Sequence, residues 1–190
     1  TEEDDENKIK KSTPADGPRV ISARLIGGGA KITAGDVEVP IQATGGLFAG
    51  YPIRLDKLTV EVGAGFTFTP VPYEGAAMQS KTGQLIGIMA NVGATYTVAP
   101  KIGLRADLGL GALMFGGISE SLFTNGAPTS GPLTMFHIRV GASADFLLTP
   151  NIIATVTPIA FSYSPAKTGL REDITAITAI DFMVGLGYRM

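Results

Sequence analysis

The chain has 190 residues, 45% hydrophobic and only 17% charged, with a net charge of -2. Its length fits one domain or one domain plus a tail, and so weak a charge offers no general attraction to nucleic acid. It has no cysteine, hence no disulfide and no thiolate metal site; it also has no apolar run of about eighteen residues, which excludes a transmembrane helix.

The first eighteen residues, "TEEDDENKIKKSTPADGP", place an acidic run before a basic one and contain no aromatic side chain. They are expected to form a disordered charged tail (1–18), with one folded domain over 19–190. No secretory leader stands at the N-terminus as given, so an exported protein would be read here in a mature or engineered form.

From Arg19 the dominant period is two, the strand period. Residues 19–32 are the first segment, where Gly27–Gly29 predict a bulge or bend. In 37–51, Val37, Val39, Ile41, Ala43, Leu47 and Tyr51 oppose Glu38, Gln42, Thr44 and Gly46. Residues 58–69 are the clearest case: Leu58, Val60, Val62, Ala64, Phe66 and Phe68 face one way, and Glu61, Gly63, Gly65, Thr67 and Thr69 the other. The same sorting recurs in 84–98, 101–115 and 135–148. A seventh segment, 151–163, is interrupted by Pro158, and an eighth runs from about 175 to the last residue.

The connections alternate in length. "YPIRLDK", "VAPK" and "LTPN" are short turns, whereas "PVPYEGAAMQSKTG", "GGISESLFTNGAPTSGP" and "SPAKTGLRED" are longer. Eight antiparallel strands with short turns at one end and longer loops at the other describe an all-β, up-and-down barrel.

Period two alone does not say which face meets solvent. A soluble ligand-carrying barrel would crowd its polar face with Lys and Glu. Here that face is rich in glycine, and Lys57, Lys81, Lys101 and Lys167 sit in turns and loops. Glycine suits a narrow bore shared by eight strands. The other face carries six or seven apolar residues per strand, a sticky patch in water but enough to span a bilayer. The predicted fold is therefore an eight-stranded antiparallel transmembrane β-barrel. Tyr51, Tyr96, Phe146 and Tyr188 at the turn end, and Phe66, Phe68, Phe115, Phe136, Phe161 and Tyr163 toward the loops, read as interfacial aromatics.

With these features the segment 19–190 resembles the small eight-stranded outer-membrane barrels of Gram-negative bacteria, the OmpA/OmpX-like group. The terminal "FMVGLGYRM" is similar to that group's assembly signal, carried here by Phe182, Val184, Leu186, Tyr188 and Met190, with Met in place of the usual terminal Phe. The resemblance implies a bacterial outer-membrane location with periplasmic termini and a monomeric barrel. It also implies contacts with outer-membrane lipid and lipopolysaccharide, delivery by the barrel assembly machinery, and an extracellular ligand met through the loops. Leu122 and Phe123, in the longest loop, are the candidate anchors. No cofactor is expected.

The charges predicted to point inward are Arg24, Arg105, Arg139 and Arg189 against Glu38, Glu61, Asp107, Asp145 and Asp181. In a narrow lumen they must pair, and the expected outcome is a plug of Arg–carboxylate pairs; a gated path for ions or small solutes is the alternative. His137 is the only histidine. Outer-membrane lipid A deacylases, also eight-stranded, use a His–x–Ser pair, but here the sequence is Phe136-His137-Ile138-Arg139. A lone histidine without a placed nucleophile, a second histidine or a cysteine argues against an enzyme and against a metal site. "LIGGGAK" and "LGLGALMFGG" match no phosphate-binding pattern and read as barrel glycines. The expected role is structural or surface-interacting, through the loops.

Overall fold

In the computed structural model the described residues are 21–74, 80–116, 133–166, 170, 172 and 174–190. The charged tail and the connection carrying Leu122 and Phe123 lie outside them. Eight strands follow one another: β1 (Ser22–Ala34), β2 (Val37–Leu55), β3 (Leu58–Glu74), β4 (Ser80–Ala99), β5 (Ile102–Gly116), β6 (Leu133–Leu147), β7 (Ile152–Pro165) and β8 (Ala176–Arg189). Each pairs antiparallel with its sequence neighbour, and β8 returns to β1 to close the barrel. The closing seam runs unbroken from Ser22↔Arg189 to Ala34↔Ile177. No helix among the described residues is long and apolar enough to cross a membrane, a finding that leaves strands free to do so.

Strand β3 extends to Glu74 and β4 begins at Ser80, so the ladder continues well past the alternating segments toward the loop end. The β1–β2 connection is a tight turn in which Gly35 takes a positive φ of 58°. At the opposite end Asp56, in the β2–β3 turn, adopts φ 53°, a conformation that Asp tolerates better than most residues.

Four strand pairings shift register, at three places in the ladder, and two of those places are at prolines. Val39 pairs with Ile32 and Gln42 with Ala30, so β2 carries one residue more than β1 there, around Pro40. In β7, Thr157 pairs with Met183 and Ala160 with Asp181, which places the extra residue around Pro158. The third is at Val98, between Thr97 and Ala99. Proline lacks the N–H that a ladder requires, so the insertion falls where the bond is already lost. The bulge expected at Gly27–Gly29 is absent: β1 stays in register through those glycines on both sides, and the irregularity lies on β2 instead.

Each bulge reverses which parity faces inward. On β7, Ile153, Thr155 and Thr157 point in before Pro158, and Ala160, Ser162 and Ser164 after it. On β2, Thr44 and Phe48 are buried while Ile41 and Leu47 are exposed, but beyond Pro40 the buried residue is Val39. The face drawn from strict alternation over 37–51 therefore fails at its start.

Outside, the barrel is apolar: Leu25, Leu104, Phe136, Phe182 and Leu186 are each more than half exposed. Tyr51, Tyr96, Phe146 and Tyr188 are exposed around the turn end, and Phe66, Phe136, Phe161 and Tyr163 lie nearer the loops; Phe68 is half-buried. Phe115, expected among the outer aromatics, points into the barrel and is buried, because parity on β5 assigns it to the face of Leu113.

Closure also depends on close backbone approach. A Cβ added at Gly63 would collide with the Ala49 carbonyl oxygen and lie 2.5 Å from Gly50 Cα, whereas one at Gly45 meets nothing nearer than 3.7 Å. A closed barrel predicts faster migration of unboiled than boiled protein in detergent gels. Gly63→Val should reduce the fast-migrating fraction and Gly45→Ala should leave it unchanged; equal behaviour of the two would contradict this packing.

Candidate functional site: the layered lumen

The inward side chains form layers along the barrel axis. Nearest the short turns lies an ion-pair cluster centred on Glu61 of β3. Arg24 of β1 donates to it through Nη1 at 2.5 Å and Nη2 at 3.3 Å, and Arg105 of β5 donates through Nη1. Arg24 Nη2 also reaches Asp145 Oδ2 at 3.1 Å, and Arg105 Nε reaches Asp107 Oδ1 at 2.7 Å. Thr155 of β7 donates to the second Asp145 oxygen at 2.8 Å. Five strands thus meet in one network, and Arg24, Glu61, Arg105 and Asp145 are all buried. Gly93 makes room for it: a Cβ there would fall on the Arg105 guanidinium.

Above this cluster is an apolar layer of Ile26, Phe48, Met89 and Met183. Glycines on β2, β3 and β5 accommodate it. A Cβ at Gly46 or Gly65 would approach the Phe48 ring within 2.9 or 2.7 Å, and one at Gly109 would lie 2.5 Å from Met89 Sδ. These glycines do not leave the lumen empty; they admit Phe48 and Met89. Arg139 lies over the Phe48 ring, 5.5 Å from its centroid, in cation–π geometry. It also donates through Nε to Asp181 Oδ2 at 3.3 Å.

Next comes a hydroxyl layer. His137 Nδ1 is 2.9 Å from Ser164 Oγ, and Thr44 Oγ1 is 2.7 Å from Thr69 Oγ1. The loop end is closed by a larger apolar cluster that includes Ile32, Val39, Leu113, Phe115, Met135 and Ile177, together with Leu170 and Ile174 from the β7–β8 connection. This apolar loop half was not foreseen. Its signals were Leu113 and Phe115 on the glycine-bearing face of β5, and Val39 across a bulge that strict alternation does not see.

The nine residues expected in the lumen network therefore divide. Arg24, Glu61, Arg105, Asp107 and Asp145 share one cluster, and Arg139 and Asp181 form a separate pair. Arg189 lines the turn-end mouth together with Asp145. Glu38 is corrected: it is exposed on the outer rim, 3.3 Å from Lys31 Nζ, because the Pro40 bulge turns it outward. With Glu38 outside, Arg24, Arg105, Arg139 and Arg189 face an equal number of carboxylates, Glu61, Asp107, Asp145 and Asp181, and the inward charges balance.

The expectation that no serine stands near His137 was framed in sequence spacing, and Ser164 of β7 reaches the ring across the sheet. The pair nevertheless lies inside, 4% and 1% exposed, and His137 Nε2 has no hydrogen-bond partner among the described residues. Among the described residues no carboxylate is hydrogen-bonded to either member of the pair. No cluster of metal-ligating side chains occurs among the described residues.

The cavities are small: one of about 70 Å³ lies at the turn-end mouth, lined by Thr95, Lys101, Asp145 and Arg189 among others. Two more, about 20 and 30 Å³, lie below and above the Phe48–Met89 layer.

Neither a protein-family model nor a curated protein matches the sequence. Solved structures do resemble the fold. Neisserial surface protein A aligns over 92% of this chain and all of its own, at 14% identity and a TM-score of 0.64. Ail, the attachment invasion locus protein of Yersinia pestis, aligns over 90% and 99%, at 17% identity and 0.53. The outer-membrane enzyme PagL aligns over 87% and 98%, at 14% identity and 0.51. At such identities the likeness is one of fold.

Truncating Glu61 to Ala leaves two buried guanidiniums short of an acceptor, which should cost about 3–5 kcal/mol. Truncating Glu38 to Ala should cost no more than about 1 kcal/mol, as for other exposed pairs. Urea titration of the barrel refolded into lipid or detergent measures both.

Proposed function

We propose that this chain, whose fold is that of the small eight-stranded outer-membrane barrels, is an integral protein of the bacterial outer membrane with a structural or surface-interacting role. Its termini and short turns face the periplasm, and the longer connections, including Leu122 and Phe123, face outward to meet an extracellular ligand. Lipid and lipopolysaccharide cover the exposed apolar wall, and the barrel assembly machinery reads the strand ending at Met190.

The observation that carries this reading is the filling of the lumen. Paired charges and two apolar clusters occupy it, and cavities of only about 20, 30 and 70 Å³ lie between and beside them. An interior packed with side chains offers neither a solute path nor a substrate pocket, so interaction falls to the connections. The similar structures do not choose a role by themselves: one is named for attachment and another is an enzyme. The depth of the His137–Ser164 pair argues against catalysis here.

Planar-bilayer recording of the purified protein should give no reproducible single-channel steps, and such steps would favour the narrow-channel alternative. Replacing 117–132 with a short Gly-Ser linker should leave heat-modifiable migration intact while abolishing any cell-surface binding the wild type shows. Retained binding would place the interaction elsewhere.

A further inference from the structure

Between the two apolar clusters lies a polar compartment that the ion-pair plug does not use. It is a cavity of about 30 Å³ whose lining includes Thr44, Thr69, His137, Ser162, Ser164 and Asp181. Its roof is apolar: Ile32, Leu85, Leu113 and Ile177 line it and belong to the loop-end cluster. Toward its floor, a Cβ added at Gly87 would collide with Thr67 Oγ1 and lie 3.3 Å from Met89 Cε and 3.5 Å from His137 Nε2. Arg139 is the one side chain among the described residues that lines both this cavity and the smaller one below.

His137 is 4% exposed, its Nδ1 is held by Ser164, and its Nε2 has no protein partner. A buried ring nitrogen left unbonded is costly in either protonation state. As an acceptor it requires a donor, and as N–H it requires an acceptor. The neighbouring hydroxyls can play either role but do not bond it. A molecule that both donates and accepts satisfies either tautomer, and about 30 Å³ exceeds the roughly 10–15 Å³ that one water requires.

We propose that this compartment is an internal binding site for one or two water molecules, held on His137 Nε2 beneath the apolar loop-end cluster. A volume of about 30 Å³ suits water rather than an organic ligand. The bound water lets the barrel keep a histidine inside without a carboxylate bonded to its free nitrogen, and the apolar roof separates the wet site from the loop end.

The inference rests on the filled-lumen reading, and the two fail differently. A wild-type barrel that conducts ions would sink both, whereas a silent barrel with a dry compartment sinks only this one. The single histidine makes its ring signals unambiguous by NMR. In detergent micelles, the carbon-bound ring protons of His137 should show water cross-relaxation of opposite sign in laboratory and rotating frames, the signature of long-lived water. Gly87→Ala, whose methyl intrudes beside Nε2, should abolish it, and Ser162→Val should do so if the first variant loses heat-modifiable migration. Absence of the signal in wild type overturns the site, with or without the variants. Persistence of the full signal in a folded variant of either kind overturns its placement in this compartment.

Discussion

In hydrocarbon an unpaired backbone N–H or C=O has no water to turn to, and pairing β8 with β1 is what satisfies the last row of them. The rest of the structure follows from that closure. An eight-strand circumference encloses a bore only wide enough for side chains, so half the residues of every strand must share a narrow space. The other half face outward, where Leu25, Leu104 and Phe182 need an apolar neighbour. The alternating run up to Met190 is thus one side of the seam, its outer residues turned to lipid and its inner ones to the lumen.

Filling the bore raises two problems with different solutions. Charges are tolerated where several partners converge, and the turn-end half brings Glu61 within reach of two arginines and Asp145 within reach of Arg24 and Thr155. Breaking one member leaves the others stranded, which is why such a cluster resists substitution whether or not it adds net stability. Much of the remainder of the bore is filled with apolar side chains of irregular shape. Phe48 and Met89 reach across it because Gly46, Gly65 and Gly109 give up their side-chain volume. Glycine here works as the complement of a neighbour's bulk, close packing being as demanding inside a barrel as in any core.

Much of this was legible. The inward faces of β3, β4 and β8 follow period two, and Glu61, Asn91 and Asp181 are buried as that period requires. Pro158 was recognised as a break, and the β7 register shifts there. Glu38 was misplaced because a bulge adds one residue to the count, and alternation carries no memory of which partner strand lost its register. The apolar loop half escaped because the inward face was read as uniformly polar, although Leu113 and Phe115 were already on it. The His137–Ser164 contact escaped because the two residues belong to different strands and are brought level only by the β6–β7 ladder.

The amino-acid sequence by itself determined the strand count, the two-faced strands, the alternation of short and long connections, and the paucity of charge that makes an apolar exterior possible. These are local properties, set by side-chain order along a single strand. Only the tertiary structure decided which charges meet: Arg24 with a residue 37 positions away and another 121 away, and His137 with one 27 away. It also decided where parity reverses and which glycines face bulk. Those outcomes depend on register and stagger around the closed ladder, a property of all eight strands together that no single strand contains.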